Sequence, residues 1–438
     1  MLLNAADKAL WRLALPMIFS NITVPLLGLV DTAVIGHLDS PVYLGGVAVG
    51  ATATSFLFML LLFLRMSTTG LTAQAWGAKD PQRLARALVQ PLALALGAGV
   101  LIILLRLPLI DLALHIVGGS EAVLEQARRF LEIRWLSAPA SLANLVLLRW
   151  LLGVQYARAP VILLVVGNLL NIVLDLWLVM GLRMNVQGAA LATVTAEYAT
   201  LIIGLLMAKR VLTLRGVSLA MLKNAWRGDL RRLLALNRDI MLRSLLLQLC
   251  FGALTVFGAR LGSDIVAVNA VLMTMLTFTA YALDGFAYAV EAHSGQAYSA
   301  RDGSQLLEVW RAACRQSGMV ALAFALIYSL AGQYIIALLT SLPSLQQLAD
   351  RYLIWQTILP VVGVWCYLLD GMFIGATRGA EMRNSMAVAA AGFAVTLLTL
   401  PVLGNHGLWL ALAVFLALRG LSLALIWRRH WRRGTWFS

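Results

Sequence analysis

A chain of 438 residues, 61% hydrophobic and 12% charged, with a mean hydropathy of +0.85, is too apolar for a water-soluble globule, which runs at about 45–50% apolar and about 25% charged residues. Lipid is the solvent that accommodates it. The net charge of +14 sits in short segments between apolar runs, with no basic stripe interleaved with aromatics, which excludes nucleic-acid binding and points to membrane topology.

A spanning helix takes about 20 mostly apolar residues. In chain order the apolar runs place spans at 13–37, 45–70, 87–110, 131–155, 160–182, 186–208, 240–262, 265–292, 313–340, 351–377, 384–403 and 405–427. The first is too long for a signal core of about 7–15 residues, contains Asp31 and lacks a small-residue cleavage site, so it reads as a span. Lys8 and Arg12, Lys79 to Arg86, Arg158, Lys209 to Arg238, Arg301 and Arg311, Arg378 and Arg383, and the tail Arg428 to Arg433 fall on one side. The alternate loops His37–Gly45 and Gly404–Gly407 carry no Lys or Arg; Arg128 and Arg129, beside Glu121, Glu125 and Glu132, depart from the pattern. The bias puts both termini in the cytoplasm and calls for an even number of spans. The organisation expected is an all-α polytopic membrane protein of twelve transmembrane helices. A six-helix lobe at 1–210 is joined by a basic amphipathic linker at 211–238 to a second six-helix lobe at 239–438 with a basic cytoplasmic tail. The linker reads as a tether, as a surface helix on anionic lipid heads, or as both.

An internal repeat supports two halves. Gln74-Ala75-Trp76-Gly77-Ala78-Lys79-Asp80 returns at an offset of 222 as Gln296-Ala297-Tyr298-Ser299-Ala300-Arg301-Asp302. At the same offset Leu84 meets Leu306, Gly36 meets Gly258 and Gly153 meets Gly375; Pro139 and Pro360 differ by 221. Several separate landmarks at nearly one spacing argue against coincidence. Six spans per half is even, so the halves should be related by a pseudo-two-fold along the membrane normal, with substrate bound between them and alternating access by rocking.

An ionisable side chain near the bilayer centre costs roughly 2.5–3.5 kcal/mol on insertion scales, so each one calls for a reason. Asp31 lies in span 1, about 9 Å inside its outer end at ~1.5 Å per residue. Asn171 and Asp175 lie on one face of span 5, Asn168 extends that stripe, and Thr193 lies at a similar depth in span 6. Two carboxylates sharing an apolar pocket disfavour each other's charge, so at least one can bind and release a proton near neutral pH. The same oxygens can alternatively hold Na⁺, or the two acids can each satisfy a separate helix–helix hydrogen bond. Pro16 and Pro25 in span 1 can bend it and so link the protonation of Asp31 to helix shape. In the second half Asp284 and Asp370 are candidates to face the cavity and attract a cationic substrate, with Gln248 as an uncharged companion; Glu291 is as readily a residue of the span's cytoplasmic end. Met59 is a flexible candidate for a promiscuous pocket or plain filler. Arg149 in span 4 has Gly371 as its repeat partner and no clear role.

The three cysteines, Cys250, Cys314 and Cys366, and the five histidines are scattered, so no disulfide framework and no metal site is expected. No His-Glu-x-x-His, nucleophile elbow or phosphate loop occurs, which speaks against an enzyme and against direct ATP drive.

The segments Pro16–Ile22 and Val30–Gly36, with Gln74–Ala78 and Gly188–Thr193, resemble the multidrug and toxic compound extrusion (MATE) family, in its DNA-damage-inducible (DinF) branch, and the resemblance covers essentially the whole chain. It implies a monomeric multi-pass protein of the bacterial inner membrane exporting small amphipathic or cationic compounds without a cofactor. It implies proton coupling at Asp31, support from Asn171, Asp175 and Thr193, and bending of span 1 at Pro16. The Na⁺-coupled members use a span-7 Glu and a span-10 Asp; here span 7 offers Gln248, and Asp370 stands about a turn from the expected register. The function expected is H⁺-coupled antiport, with Na⁺-coupled export or flipping of lipid-linked precursors as alternatives; cavity-facing Arg149 and Arg243 would favour the last.

Overall fold

A computed structural model describes residues 4–36, 41–59, 61, 63–118, 120–225, 228, 230–339 and 342–437, and within the helices residues 23–33 and a few others by their backbone alone. Every element among them is helical: α1 Ala5–Gly36, α2 Pro41–Met59, α3 Phe63–Gly77, α4 Pro81–Leu104, α5 Arg106–Val117, α6 Glu121–Arg134, α7 Ala138–Gly153, α8 Ala159–Asp175 and α9 Asn185–Leu214. There follow α10 Leu219–Asn224, α11 Leu230–Leu261, α12 Ser263–Ala300, α13 Gly303–Leu339, α14 Pro343–Gly375, α15 Gly379–Thr396, α16 Leu400–Leu403 and α17 Asn405–Arg433. Ten helices among the described residues are long and apolar enough to cross a membrane, and Gly45–Met59 with Phe63–Gly77, bent by 45°, qualify together as one more.

Two sequence-drawn boundaries move. The run at 87–110 is not one helix: α4 stops at Leu104 and α5 starts at Arg106, because Pro108 has no amide for a bond to Leu104 and its ring would clash with that carbonyl. The linker shrinks, since α9 continues to Leu214 and α11 begins at Leu230. Between them Ser218 caps α10, Ala225 is fully buried, and the Gln90 amide of α4 donates to the Gly228 carbonyl at 2.6 Å.

By packing, the chain forms two units, Ile22–Arg231 and Met1–Asn21 with Arg232–Ser438. The segment Met1–Asn21 therefore packs with the second half, not with the rest of the 1–210 stretch that it opens. Asp7 meets Arg315 at 3.0 Å, Trp11 Nε1 donates to Gln316 Oε1 at 3.0 Å, and Asn21 Nδ2 donates to the Tyr281 carbonyl at 3.1 Å. A Cβ on Gly285 would stand 3.1 Å from the Ala14 carbonyl, so glycine lets α1 and α12 approach closely. The α1 backbone is helical through both Pro16 and Pro25.

The repeat seen in the sequence is a repeat of backbone detail. Asp80 accepts from the amides of Gln82 and Arg83 at 3.1 and 3.3 Å ahead of α4. Asp302, its counterpart in the repeat, accepts from that of Gln305 at 3.1 Å ahead of α13. Lys79 and Arg301, each with φ 53°, take the left-handed conformation that closes a helix, as do Gln155 (62°) and Thr377 (57°). A Cβ on Gly153 would meet Thr72 Cβ at 2.7 Å; one on Gly375 would meet the Glu291 carbonyl at 2.5 Å and Ser294 Cβ at 2.9 Å. Thr72 and Ser294 stand at the same offset as the glycines they contact. Small residues at such contacts let helices pack without a hydrophobic driving force in lipid.

Past α17 the chain turns at Gly434 (φ 65°) and folds back on its own unit. Trp436 is 1% exposed and packs edge-on against Phe373 with ring centres 5.0 Å apart. Arg378 donates to the carbonyls of Thr435 (3.0 Å) and Trp436 (2.7 Å), and Phe437 reaches the Tyr298 ring. At the equivalent place in the other unit, Arg215 lies over Trp76, the counterpart of Tyr298, at 3.4 Å.

Candidate ion-coupling site

In the unit Ile22–Arg231, α8 and α9 form an antiparallel pair. A Cβ on Gly167 would meet Thr200 Oγ1 at 2.8 Å. From that contact the antiparallel register sets Asn171 level with Ala196, and Asp175 level with Ala192 and Thr193. Both alanines are buried, and their small side chains leave room for the polar groups opposite. Asn168, Asn171 and Asp175 share one face of α8 at helical spacing. Asn171 and Asp175 are 2% and 1% exposed, whereas Asn168 and Thr193 are half-buried. The Asn171 Oδ1 is buried and takes no hydrogen bond from the described residues. Thr193 donates its hydroxyl to the Ala189 carbonyl at 3.1 Å and keeps its oxygen free to accept. Directly after Asp175 the chain winds as a π-turn, Leu176–Gly181, a distortion that recurs at functional sites. Asp31 belongs to α1 by its backbone, but its side chain, like that of Pro25, lies outside the described residues. Pro16 falls in α1 within the other unit and is half-buried.

The second carboxylate cluster turns out differently. Asp370 of α14 was expected to attract a cation. Instead its Oδ2 accepts from Arg243 of α11 at 2.8 Å and from Arg419 of α17. All three are buried, at 7%, 3% and 5% exposure. A carboxylate held by two guanidiniums is already charge-compensated within the protein. Asp284 of α12 lies within electrostatic reach of Cys366 of α14, as do these three groups. Met59, Gln248 and Asp284 are each half-buried; Arg149 is 3% exposed in α7.

Sequence reasoning passed over two ionisable groups that the cost of intramembrane charge marks out. Arg419 lies between Leu418 and Gly420 inside the apolar run of α17, far from the basic tail. Glu197 lies in α9, one turn past Thr193. Its carboxylate accepts from Asn144 Nδ2 of α7 at 3.1 Å, and Arg134 stands 3.8 Å away. No group of three or more metal-ligating side chains occurs among the described residues.

Long apolar helices with close contacts at small residues define a multi-pass membrane protein, and comparison with known proteins says of what kind. The MatE family profile matches residues 16–177 and 240–403. The chain is 87% identical over 436 residues to the DNA damage-inducible protein F of Escherichia coli K12, covering 100% of this chain and 95% of that protein. It is 26% identical to DETOXIFICATION 45, chloroplastic, of Arabidopsis thaliana, over 98% and 79% of the two. It is 22% identical to the probable multidrug resistance protein NorM of Acinetobacter baylyi, over 96% and 94%. Among solved structures, a MATE in its bent conformation superposes with a TM-score of 0.84 at 22% identity. A Pyrococcus furiosus transporter of the MOP superfamily, described as having a binding pocket of reversed polarity, gives 0.83 at 23%. Each comparison covers 98% of this chain and 96% of the other; at that identity they speak for the fold. The chain belongs to the MatE family, whose members are transporters and not enzymes.

Proposed function

We propose that this protein is a proton-coupled antiporter that exports small amphipathic or cationic compounds by alternating access. It has twelve spans in two six-helix lobes, with both termini in the cytoplasm of a bacterial inner-membrane monomer. The ten long helices and the bent pair Gly45–Met59 and Phe63–Gly77, taken with the 32-residue α1, support that count. The observation that carries the coupling assignment is the contrast between carboxylates. Asp175 is buried at 1% exposure, one turn from Asn171 on the face of α8 that also carries Asn168, whereas Asp370 is neutralised by Arg243 and Arg419.

A proton is the ion that suits Asp175. A carboxyl in an apolar helix pair is stabilised by protonation and destabilised by ionisation, and amide and hydroxyl groups can hydrogen-bond either form. Asp31, on the helix that both units share, is the partner acid; its protonation would reshape α1, with Pro16 as the bend. Extracellular protons would then drive expulsion of substrate. Na⁺ coupling in the second half has little support, since Na⁺ would have to displace two guanidiniums from Asp370. The flippase reading loses Arg243 as a headgroup ligand for the same reason.

The test is ethidium transport in proteoliposomes under an imposed pH gradient, and separately under a Na⁺ gradient. Asp31→Asn and Asp175→Asn should each abolish pH-driven export, and a Na⁺ gradient alone should drive none. Export by Asp31→Asn at the wild-type rate would sink the mechanism.

A further inference from the structure

Glu197 is a carboxylate near mid-membrane. It lies well inside α9, which starts at Asn185, at a depth of about 18 Å at ~1.5 Å per residue, where hydropathy alone would have no acid. An intramembrane acid at that depth calls for a partner and a function. Its surroundings are built. Asn144 Nδ2 donates to both the Glu197 carboxylate and the Glu197 carbonyl, each at 3.1 Å. The Tyr198 hydroxyl donates to the Leu136 carbonyl at 2.8 Å, which ties α9 to the junction of α6 and α7. On the other side Trp135 Nε1 donates to Thr54 Oγ1 at 3.0 Å, which fixes α2 one turn from Phe58.

Against these anchored parts lies the Arg134 guanidinium. It is 3.8 Å from Glu197 Oε1 and 5.7 Å over the Phe58 ring. The first is long for a committed ion pair, whose N–H···O contacts run at about 2.7–2.9 Å; the second is within the roughly 6 Å reach of a cation–π contact. Arg134 keeps a second bond, to Ser137 Oγ. A carboxylate beside an aromatic face is what an organic cation needs. Trp135 also forms a wall of a cavity of about 300 Å³ lined by Ala53, Phe56, Leu57, Leu109 and Leu112 among other apolar residues, at the low end of the size of small-molecule pockets.

We propose that Glu197 and Phe58 form a subsite for the charged group of an organic cation whose apolar body enters this cavity, and that Arg134 occupies the subsite until substrate displaces it. The proposal rests on the exporter reading but not on the coupling ion. Arg134 is then a built-in competitor, able to swing aside while held at Ser137. It lets the unit keep Glu197 compensated when no substrate is bound, and it sets a threshold that only a well-fitting cation passes.

Equilibrium binding to the full chain in lipid nanodiscs, with no ion gradient, tests this apart from proton coupling. The probes are tetraphenylphosphonium and the uncharged triphenylphosphine oxide. Glu197→Gln, which still accepts from Asn144, should weaken tetraphenylphosphonium binding at least tenfold and leave the neutral probe unchanged, with an unaltered melting temperature. Arg134→Ala should tighten tetraphenylphosphonium binding severalfold, an effect that loss of a merely structural arginine does not produce. Unchanged affinity in Glu197→Gln, or weaker binding in Arg134→Ala, would overturn the proposal. Because no gradient is applied, a failed coupling assignment leaves this result standing, and the reverse holds too.

Discussion

In the unit Ile22–Arg231, Asp175 stands beside Asn171 at the start of a π-turn, with the neutral Thr193 at its level. In the other unit, Asp370 is bound by Arg243 and Arg419. The scaffold around both is the same to the detail of helix caps and left-handed residues at matching places in the repeat. The frame repeats and the interiors do not: at the offset of 222 Asp175 meets Leu397 and Asp370 meets Leu148, so each half carries its buried carboxylate at a place of its own. A buried acid with two guanidinium partners is a structural brace; gaining and losing a proton is the task proposed for Asp175.

That contrast can be broken by exchanging the two acids for amides. Asp370→Asn leaves two buried guanidiniums without their carboxylate and should cost about 3–5 kcal/mol, read as a large fall in melting temperature in detergent. Asp175→Asn should fold with wild-type stability. If Asp175→Asn is the one that unfolds, the roles assigned here are reversed. The chain leaving each sixth long helix sharpens the comparison at a smaller scale. Trp436→Ala removes a buried ring and should cost about 3 kcal/mol. Leu214, its counterpart in the repeat, is 77% exposed, and Leu214→Ala should leave the melting temperature unchanged. Next come the paired glycines. Gly375→Ala sets a methyl 2.5 Å from the Glu291 carbonyl, and Gly153→Ala sets one 2.7 Å from Thr72 Cβ, an atom fixed to its backbone; each should cost about 1–3 kcal/mol. A loss at one glycine and none at the other would mean that the two contacts are not copies of one another. The smallest effect is Arg215→Ala, where loss of the contact with Trp76 should cost about 0.5–1 kcal/mol, visible as a melting shift of a degree or two at most.

Much of this fold was legible because lipid makes hydropathy nearly decisive. The run at 186–208 became α9, and the motif Gln74–Asp80 became a helix end with its cap. Helix length was less legible. Hydropathy reads only the apolar stretch, so 313–340 became Gly303–Leu339, whose polar first turns follow the Asp302 cap. The break before Pro108 was readable from proline chemistry and was overlooked in an unbroken apolar run. The α8 stripe was legible from spacing alone. The Asp370 clamp was not, because Arg243, Asp370 and Arg419 come from three helices far apart in sequence, and only packing brings them together. Arg419 itself was visible, as was Glu197: each is a lone charge in an apolar run, masked by the attention that clustered charges draw. The placement of Met1–Asn21 with the second half had no signal in hydropathy, since it depends on side chains such as Trp11 and Asp7 finding partners on α13.

The docking of Trp436 and Phe437 also bears on how this molecule can be watched at work. A fluorophore joined just beyond Phe437 would sit close to an anchored ring, with almost no slack. Its emission anisotropy would then follow the rotation of the unit that contains Asp370, whereas a label on the exposed Leu214, beside the anchored Arg215, would follow the other. The two anchored exits are a ready pair of rulers for the rocking that the proposed antiport calls for.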